Sequence, residues 1–174
     1  MTPKARPRSE PRIPEDDVRE GIELLFFAYR DFTADPDRIL APLGMGRAHH
    51  RVVHFVGRNP AITVGELLAI LKITKQSLNR VLGHLVREGY IAQRPGAADR
   101  RERRLTLTES GQSLERRLSE PQRTRVAAAY GAAGRDGVEG FRRVLLELVN
   151  KADRDRLVGG RGVTAPLSAK ARLR

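Results

Sequence analysis

The chain has 174 residues, with 33 basic and 21 acidic side chains and a net charge of +12. This length is sufficient for one domain with its own hydrophobic core, and the charge favours a polyanionic partner. The sequence contains no cysteine, which excludes disulfides, thiolate metal sites and thiol-based redox sensing. It also lacks an apolar run of about 18 residues and the apolar core of a signal peptide, so we expect a cytoplasmic protein with no membrane partner.

The N-terminal region combines a polar arm with a strongly apolar helix. Residues 1–14 contain four prolines and almost no apolar side chains, which predicts a disordered arm before a domain over residues 15–155. A helix is predicted from near Glu15 to Asp35-Pro36, and its apolar side chains recur at helical spacing: Val18, Ile22, Leu25, Tyr29 and Phe32. So long a stripe predicts burial against another element or a second subunit.

A connector over residues 39–46 leads to a second predicted helix over residues 47–57, which Asn59-Pro60 ends. Two shorter helices then follow, each with a capping signal. Thr63 and Glu66 have the spacing of a capping box, and Thr74 is a second N-cap candidate for a helix that runs to about Glu88. Two helices joined by a tight turn are typical of a helix-turn-helix.

Two strand patterns follow, at residues 90–94 and 103–108, joined by the charged segment 95–102. Together with the two capped helices they predict a DNA-binding lobe over residues about 62–108. A long helix is predicted from Thr108, kinked or broken at Pro121 and separated by Gly131–Gly137 from a last helix over residues 138–149. Residues 156–174 are expected to form a disordered basic tail.

The helix after Thr74 carries its polar side chains on one face, opposite Leu78, Val81 and Leu82. These types suit base recognition, because Gln and Asn pair with adenine and Arg and Lys with guanine. A solvated polar face would look the same in an isolated helix. The short capped helix before it and the basic hairpin after it favour a recognition helix with Lys75, Gln76, Ser77, Asn79 and Arg80 as DNA contacts.

The hairpin tip is rich in arginine, and we predict that Arg100, Arg101 and Arg103 contact DNA. The narrow minor groove has a concentrated negative potential that attracts arginine. Asp99 lies among these positive charges, and we interpret it as an ion-pair partner that orients Arg101 or a neighbour.

These residues resemble the MarR family of bacterial winged-helix regulators. The resemblance is carried by Thr74 to Leu82, by Gly89-Tyr90-Ile91, and above all by Asp99-Arg100-Arg101 followed by Leu105 to Thr108 and Gly111. It implies a mainly α fold with a small β-hairpin wing (α+β), in which residues 15–57 and 109–155 supply dimerisation and linking helices. It also implies an obligate homodimer that presents two recognition helices and two wings to a pseudo-palindromic operator.

The resemblance further implies an effector cavity between the dimerisation helices and the DNA-binding lobe. The positions that could line it are Phe26, Tyr29, Arg30, Arg47, His49, His50, Arg51 and His54. His50 and His54 are four residues apart, a spacing that a divalent metal accepts, but cysteine is absent and an acidic ligand would have to come from another helix. Structural histidines, recognition of an anionic ligand and a pH response therefore stay open, and no cofactor or metal is assigned.

The sequence thus predicts a dimeric, sequence-specific transcription factor whose partners are double-stranded DNA, a second copy of the chain and a candidate small-molecule effector. A non-specific nucleic-acid-binding or nucleoid-associated protein is the alternative. No motif for nucleophilic, phosphate-cradling or zinc hydrolase chemistry occurs, so we do not expect an enzyme. The sequence leaves open whether the protein represses or activates transcription.

Overall fold

Six α-helices and three short β-strands form the part of the chain that the computed structural model describes, residues 13–96 and 102–158. The helices are α1 (Glu15–Leu40), α2 (Arg47–Arg58), α3 (Val64–Leu71), α4 (Lys75–Arg87), α5 (Glu109–Leu148) and α6 (Lys151–Val158). The strands are β1 (Ile62–Thr63), β2 (Ile91–Pro95) and β3 (Arg103–Leu107), and a 3₁₀ turn spans Ala41–Leu43. No helix within the described ranges is both long and apolar enough to cross a membrane.

One hydrophobic core joins the predicted DNA-binding lobe to the helices that flank it. It contains the fully buried side chains of α2, α4, β3 and α5, which include Val52, Leu78, Leu85, Leu105 and Leu118. Burying a side chain of this size contributes about 1.5–3 kcal/mol. The lobe is therefore held rigidly against α2 and the first half of α5, and its outer surface has a fixed orientation.

The three strands form an antiparallel sheet in the order β1-β3-β2. Ile91 lies opposite Leu107 in the β2–β3 hairpin, and Ile62 lies opposite Leu105 in the β1–β3 pair. The hairpin was predicted from the sequence, but the two-residue strand β1 was not. Strand β1 pairs with residues of β3 that lie more than 40 positions away in the sequence. Two residues are also too few to show the alternation of apolar and polar side chains that marks a strand.

The helix caps predicted at Thr63 and Thr74 are present, and Thr108 provides a third. Thr63 Oγ1 accepts from the backbone N–H of Glu66, whose carboxylate accepts in return from the backbone N–H of Thr63. Thr74 and Thr108 each cap a helix through the side-chain oxygen, Thr74 at α4 and Thr108 at α5. An N-cap of this kind contributes about 1 kcal/mol, which explains how a helix as short as α3 is maintained.

The prediction that the first helix ends at Asp35-Pro36 is wrong, because α1 continues through Pro36 to Leu40. Proline has no N–H to donate to the carbonyl four residues earlier, here that of Phe32. In the structure the side-chain amide of Gln122 on α5 donates to this carbonyl at 3.1 Å. The distant helix thus satisfies the acceptor that proline leaves free, and the buried proline is tolerated.

The long helix α5 contains Pro121 without a break, and its break lies at Gly134, where φ is 69° and ψ is 177°. The predicted glycine-rich interruption over residues 131–137 is therefore reduced to one residue. After it, α6 runs to Val158, three residues beyond the predicted end of the domain at Asp155. Asp153 on α6 pairs with Lys72, in the turn between α3 and α4.

Candidate nucleic-acid interface

Helix α4 has one face in the core and the other at the surface. Its apolar residues Leu78, Val81, Leu82 and Leu85 are buried. Four of the five predicted DNA contacts on this helix are exposed, namely Lys75, Gln76, Asn79 and Arg80. They lie in the first two turns, so the N-terminal half of α4 offers amide and cationic groups to a partner.

The fifth predicted contact, Ser77, is only partly available to a partner. Thr74 Oγ1 accepts from the Ser77 backbone N–H at 3.1 Å and donates to Ser77 Oγ at 2.9 Å. The Ser77 side chain therefore belongs to the cap that begins α4. Lys72 adopts a left-handed conformation with φ of 50° and ends α3, which produces the tight turn before the cap.

The β2–β3 hairpin forms the predicted wing. Arg94 lies opposite Arg104, Pro95 lies opposite Arg103, and the N–H of Gly96 donates to the Glu102 carbonyl at 2.9 Å. Arg103 is exposed, whereas Arg104 forms an ion pair with Glu102 at 2.9 Å. Asp99, Arg100 and Arg101, the predicted tip of the wing, lie outside the described residues, and their DNA contacts stay predictions.

The base of the wing is fixed to the start of α5. The Thr108 backbone N–H donates to the Tyr90 carbonyl at 3.1 Å, and Thr108 Oγ1 donates to the Gly89 carbonyl at 2.6 Å. Gly111 lies directly against this junction, because a Cβ added there would stand 2.0 Å from Tyr90 O. The glycine that carries part of the family resemblance therefore allows helix and hairpin backbones to approach each other.

The predicted effector positions on α1 lie on a largely exposed helix. Phe26 is 65% exposed, and the Arg30 guanidinium lies over the ring of Phe27, 4.8 Å from its centroid. Tyr29 is the position that contacts α2, where Arg51 donates to its hydroxyl at 3.1 Å. The structure thus brings Tyr29 and Arg51 together but leaves Phe26 and Arg30 at the surface of α1.

The three histidines of α2 divide into two groups. His49 Nε2 lies 3.0 Å from Nδ1 of His84 on α4. His50 and His54 stack edge to face with ring centroids 6.5 Å apart, and His54 Nδ1 lies 3.7 Å from Glu115 Oε1. The described residues contain no group of three or more His, Asp or Glu side chains arranged to hold a metal ion.

All three histidines of α2 have a lowered pKa, and burial is the largest cause for each. The charges of His84 and Arg80 also lower the pKa of His49. Glu115 opposes the effect at His54, because its carboxylate raises the pKa of that imidazole. Each of these histidines is therefore held in its neutral form more firmly than a free imidazole.

A groove of about 1020 Å³ lies between α1, α2 and the middle of α5. Of the predicted effector positions, His54 lines it. The other lining side chains are a mixture of aromatic and polar groups, among them Phe32, Phe55, Arg58, Glu115, Gln122, Arg123 and Tyr130.

Two residues of α4 that the sequence reasoning did not single out lie beside the predicted DNA-contacting face. His84 and Arg87 follow Arg80 by four and seven residues, and together with Arg80 they line a cavity against the start of α2. The signal for Arg87 was present in the sequence, because this spacing places all three on one helical face. The contact of His84 with His49 joins residues 35 positions apart and could not be predicted locally.

A helix-turn-helix with an exposed polar face on its second helix, followed by a β-hairpin and packed on flanking helices, defines a winged-helix DNA-binding protein. A sequence model of the MarR family matches residues 43–102. The HTH-type transcriptional regulator PetP of Rhodobacter capsulatus is 54% identical over 142 residues, covering 82% of this chain and 86% of that protein. The transcriptional activatory protein BadR of Rhodopseudomonas palustris is 34% identical over 70 residues, 40% of this chain and 38% of its own.

Solved structures show the same fold at low sequence identity. FabT of Streptococcus pneumoniae in complex with DNA has a TM-score of 0.68 at 19% identity, covering 76% of this chain and 94% of its own. A mutant MarR from E. coli complexed with operator DNA has a TM-score of 0.60, also at 19% identity, with coverage of 78% and 97%.

The chain belongs to the MarR family. It is a DNA-binding transcriptional regulator and not an enzyme, and the predicted family and fold are confirmed.

Proposed function

We propose that the protein acts as a homodimer that places two copies of α4 in successive major grooves of a pseudo-palindromic operator. The observation that carries this proposal is the division of α4 into two faces. Four apolar side chains anchor it in the core, while Gln76, Asn79 and Arg80 extend from its first two turns into solvent. Amide and guanidinium groups can form paired hydrogen bonds with adenine and guanine edges in the major groove.

The unpartnered surface of α1 supports the dimer. Every residue from Ile13 to Arg30 is exposed, although this segment is rich in large apolar side chains. The most exposed of these on α1 are Ile22 at 65%, Phe26 at 65% and Leu24 at 61%. Monomeric proteins rarely expose a contiguous apolar patch of this kind, so we infer that another surface covers it.

The second half of α5 offers a matching surface on the same chain. Phe141, Val144 and Leu148 lie beyond the Gly134 break and are between 48% and 64% exposed. A two-fold axis would let α1 of one subunit cover this end of α5 in the other, so that both apolar surfaces are buried at once. Such symmetry predicts operator half-sites about one helical turn, or roughly 10 bp, apart.

The wing completes each half of the proposed complex. Arg94 and Arg103 are exposed on the hairpin strands, and the segment between the strands carries Arg100 and Arg101. Arginine side chains on a narrow ribbon suit the minor groove beside the recognition helix. We therefore assign phosphate and minor-groove contacts to the wing and base recognition to α4.

We further propose that a small molecule regulates DNA binding from the groove between α1, α2 and α5. The groove is large enough for a ligand of drug-like size, and it contacts both the dimerisation helices and α2. His54, Glu115 and Arg123 offer it polar groups, and Phe32 and Tyr130 offer aromatic surface. A ligand here could change the angle between the two DNA-binding lobes.

The test is to select preferred duplexes from a random library with the purified protein, then insert base pairs between the half-sites. We expect preference over random DNA of about 10³ or more, and a loss of affinity when the spacing departs from one turn. Uniform affinity for all duplexes would instead establish the non-specific nucleic-acid-binding alternative. Indifference to spacing would exclude paired half-sites.

A further inference from the structure

A cavity of about 470 Å³ lies between the start of α2 and the middle of α4, at the edge of the proposed DNA-reading surface. We name it the α2–α4 cavity. Its polar side chains are Arg47 and His49 from α2 and Arg80, His84 and Arg87 from α4, and none of the described carboxylates lines it.

Two of the three arginines lack an acidic partner in the described structure. Arg47 forms an ion pair with Asp37 at 2.9 Å. No carboxylate in residues 13–96 or 102–158 lies within 4.0 Å of Arg80 or Arg87. The Arg87 side chain also folds back along α4, so that its Nη1 lies 3.8 Å from the position of a Cβ on Gly83. Two guanidinium groups that have no carboxylate partner among the described residues thus flank one cavity.

The histidine pair adds a hydrogen-bond donor to these charges. His49 Nδ1 accepts from the backbone N–H of Gly46 at 3.1 Å, so the proton of a neutral His49 is on Nε2. This Nε2 donates to His84 Nδ1 at 3.0 Å, which places the proton of a neutral His84 on its own Nε2. These hydrogen bonds therefore assign both tautomers. They leave His84 Nε2–H as the donor that the histidine pair itself does not use.

This chemistry selects an anion and excludes a cation. The two facing imidazole nitrogens are used by each other, and the neighbouring arginines repel a metal ion. The first N–H groups of α2, those of Arg47 and Ala48, have no acceptor within their helix and add positive potential at the same end of the cavity. Arginine N–H groups form short, charge-assisted hydrogen bonds with phosphate oxygens, and a neutral imidazole N–H can donate to the same oxygens.

We propose that the α2–α4 cavity is a phosphate-binding site in which Arg80 and Arg87 bind the phosphate oxygens and His84 Nε2–H donates a further hydrogen bond. Two sources can supply this group: a backbone phosphate of the operator, or a free phosphate or phosphorylated small molecule. Since Arg80 belongs to both the cavity and the DNA-reading surface, a free ligand would compete with DNA, whereas a backbone phosphate would add to DNA binding. The choice of source rests on the proposed function, but the existence of the site does not.

The site is tested first without DNA, by titrating the full-length protein with inorganic phosphate at constant ionic strength in a calorimeter. Arg87→Ala is expected to weaken phosphate binding about tenfold, because it removes a charge-assisted contact. Arg117→Ala is the matched control, since it removes an exposed arginine of α5 outside the cavity and lowers the net charge equally. The control is expected to change phosphate affinity less than twofold.

The second arm uses a duplex selected by the protein and identifies the source. If a DNA phosphate occupies the site, Arg87→Ala weakens DNA binding in phosphate-free buffer and lowers its salt dependence by about one unit for each lost contact. If the ligand is a free phosphate, Arg87→Ala leaves the salt dependence of DNA binding in phosphate-free buffer unchanged. Added phosphate then weakens DNA binding of the unmodified protein at constant ionic strength, and Arg87→Ala removes that sensitivity.

The proposal is overturned if Arg87→Ala and Arg117→Ala behave alike in both arms. Absence of binding to any duplex would reject the proposed function but leave the calorimetric arm intact. His84→Gln provides a further check on the hydrogen-bond donor, because its amide N–H can replace the imidazole N–H. It is expected to retain phosphate binding within about threefold, whereas His84→Leu loses about as much affinity as Arg87→Ala.

Discussion

The junction between the wing and α5 gives the sharpest prediction from this structure, the effect of Gly111→Ala. The new Cβ would lie 2.0 Å from Tyr90 O and 3.0 Å from Tyr90 C, and both obstacles are backbone atoms. Reaching 3.0 Å from the oxygen requires a shift of about 1 Å between α5 and β2. No side-chain rotation can relieve this contact.

The magnitude follows from the bonds that such a shift would strain. Overpacking against backbone costs about 1–3 kcal/mol. The two hydrogen bonds from Thr108 to the carbonyls of Gly89 and Tyr90 contribute about 1 kcal/mol each. The better helix propensity of alanine offsets at most about 1 kcal/mol. We therefore expect Gly111→Ala to lower the free energy of unfolding by about 2–4 kcal/mol.

Thermal unfolding followed by circular dichroism, at one fixed protein concentration, measures this effect. A loss of about 2–4 kcal/mol lowers Tm by about 4–16 °C in a chain of this size. Gly65→Ala in α3 is the matched control, because its Cβ would meet only Thr63 Oγ1, at 4.0 Å. The control is expected to keep Tm or raise it slightly. A Gly111→Ala protein whose Tm lies within about 1 °C of the Tm of the unmodified protein would refute the inferred close approach.

Three further predictions concern the wing, the dimer and the histidines. Arg103→Ala is expected to weaken operator binding and to reduce its salt dependence by about one unit per lost phosphate contact, measured by fluorescence anisotropy at several salt concentrations. Leu25→Glu is expected to weaken dimerisation at least about tenfold in sedimentation equilibrium, because burying a leucine contributes about 1.5–3 kcal/mol. The folded state lowers the pKa of His49 and His50, so their contribution to the free energy of unfolding should be fully present above about pH 6.5 and be lost on acidification. Urea unfolding at pH 7.5 and at pH 5.5 measures this loss.

Each of these predictions has a control and a contradicting result. Arg117→Ala removes an exposed arginine of α5 that is not part of the hairpin, and an equal salt dependence for both arginine variants would contradict a wing contact. Gln112→Glu adds the same negative charge as Leu25→Glu, but at an exposed residue of α5. An equal loss of dimerisation affinity in both variants would exclude α1 from the dimer interface. A double variant with glutamine at His49 and His50 should lose less stability on acidification, and an undiminished loss would exclude these histidines as the cause.

Local signals in the sequence predicted much of the DNA-binding lobe. The predicted caps Thr63 and Thr74 mark where two helices begin, and the long helix predicted from Thr108 also begins there. Each of these signals lies within a few residues of the helix start that it predicts. The polar face of α4 was equally visible, because helical periodicity separates Gln76 from Leu78 without reference to the rest of the fold.

The features that the sequence did not reveal depend on residues far apart in the chain. Strand β1 exists because Ile62 pairs with Leu105, and α1 passes through Pro36 because Gln122 satisfies a carbonyl from another helix. The hydrogen bond between His49 and His84 likewise requires α2 and α4 to be packed together. No periodicity or spacing in the sequence indicates these contacts, because each depends on how distant elements pack in the fold.

The central claim is that α4 reads base edges in two symmetric half-sites. The most direct test compares the sequence preferences of the unmodified protein, Gln76→Ala and Asn79→Ala across one random duplex library. The unmodified protein should select a two-fold symmetric motif, and each variant should lose preference at a pair of symmetric positions roughly 10 bp apart. Unchanged preferences in both variants, with only a uniform loss of affinity, would contradict base recognition by this helix.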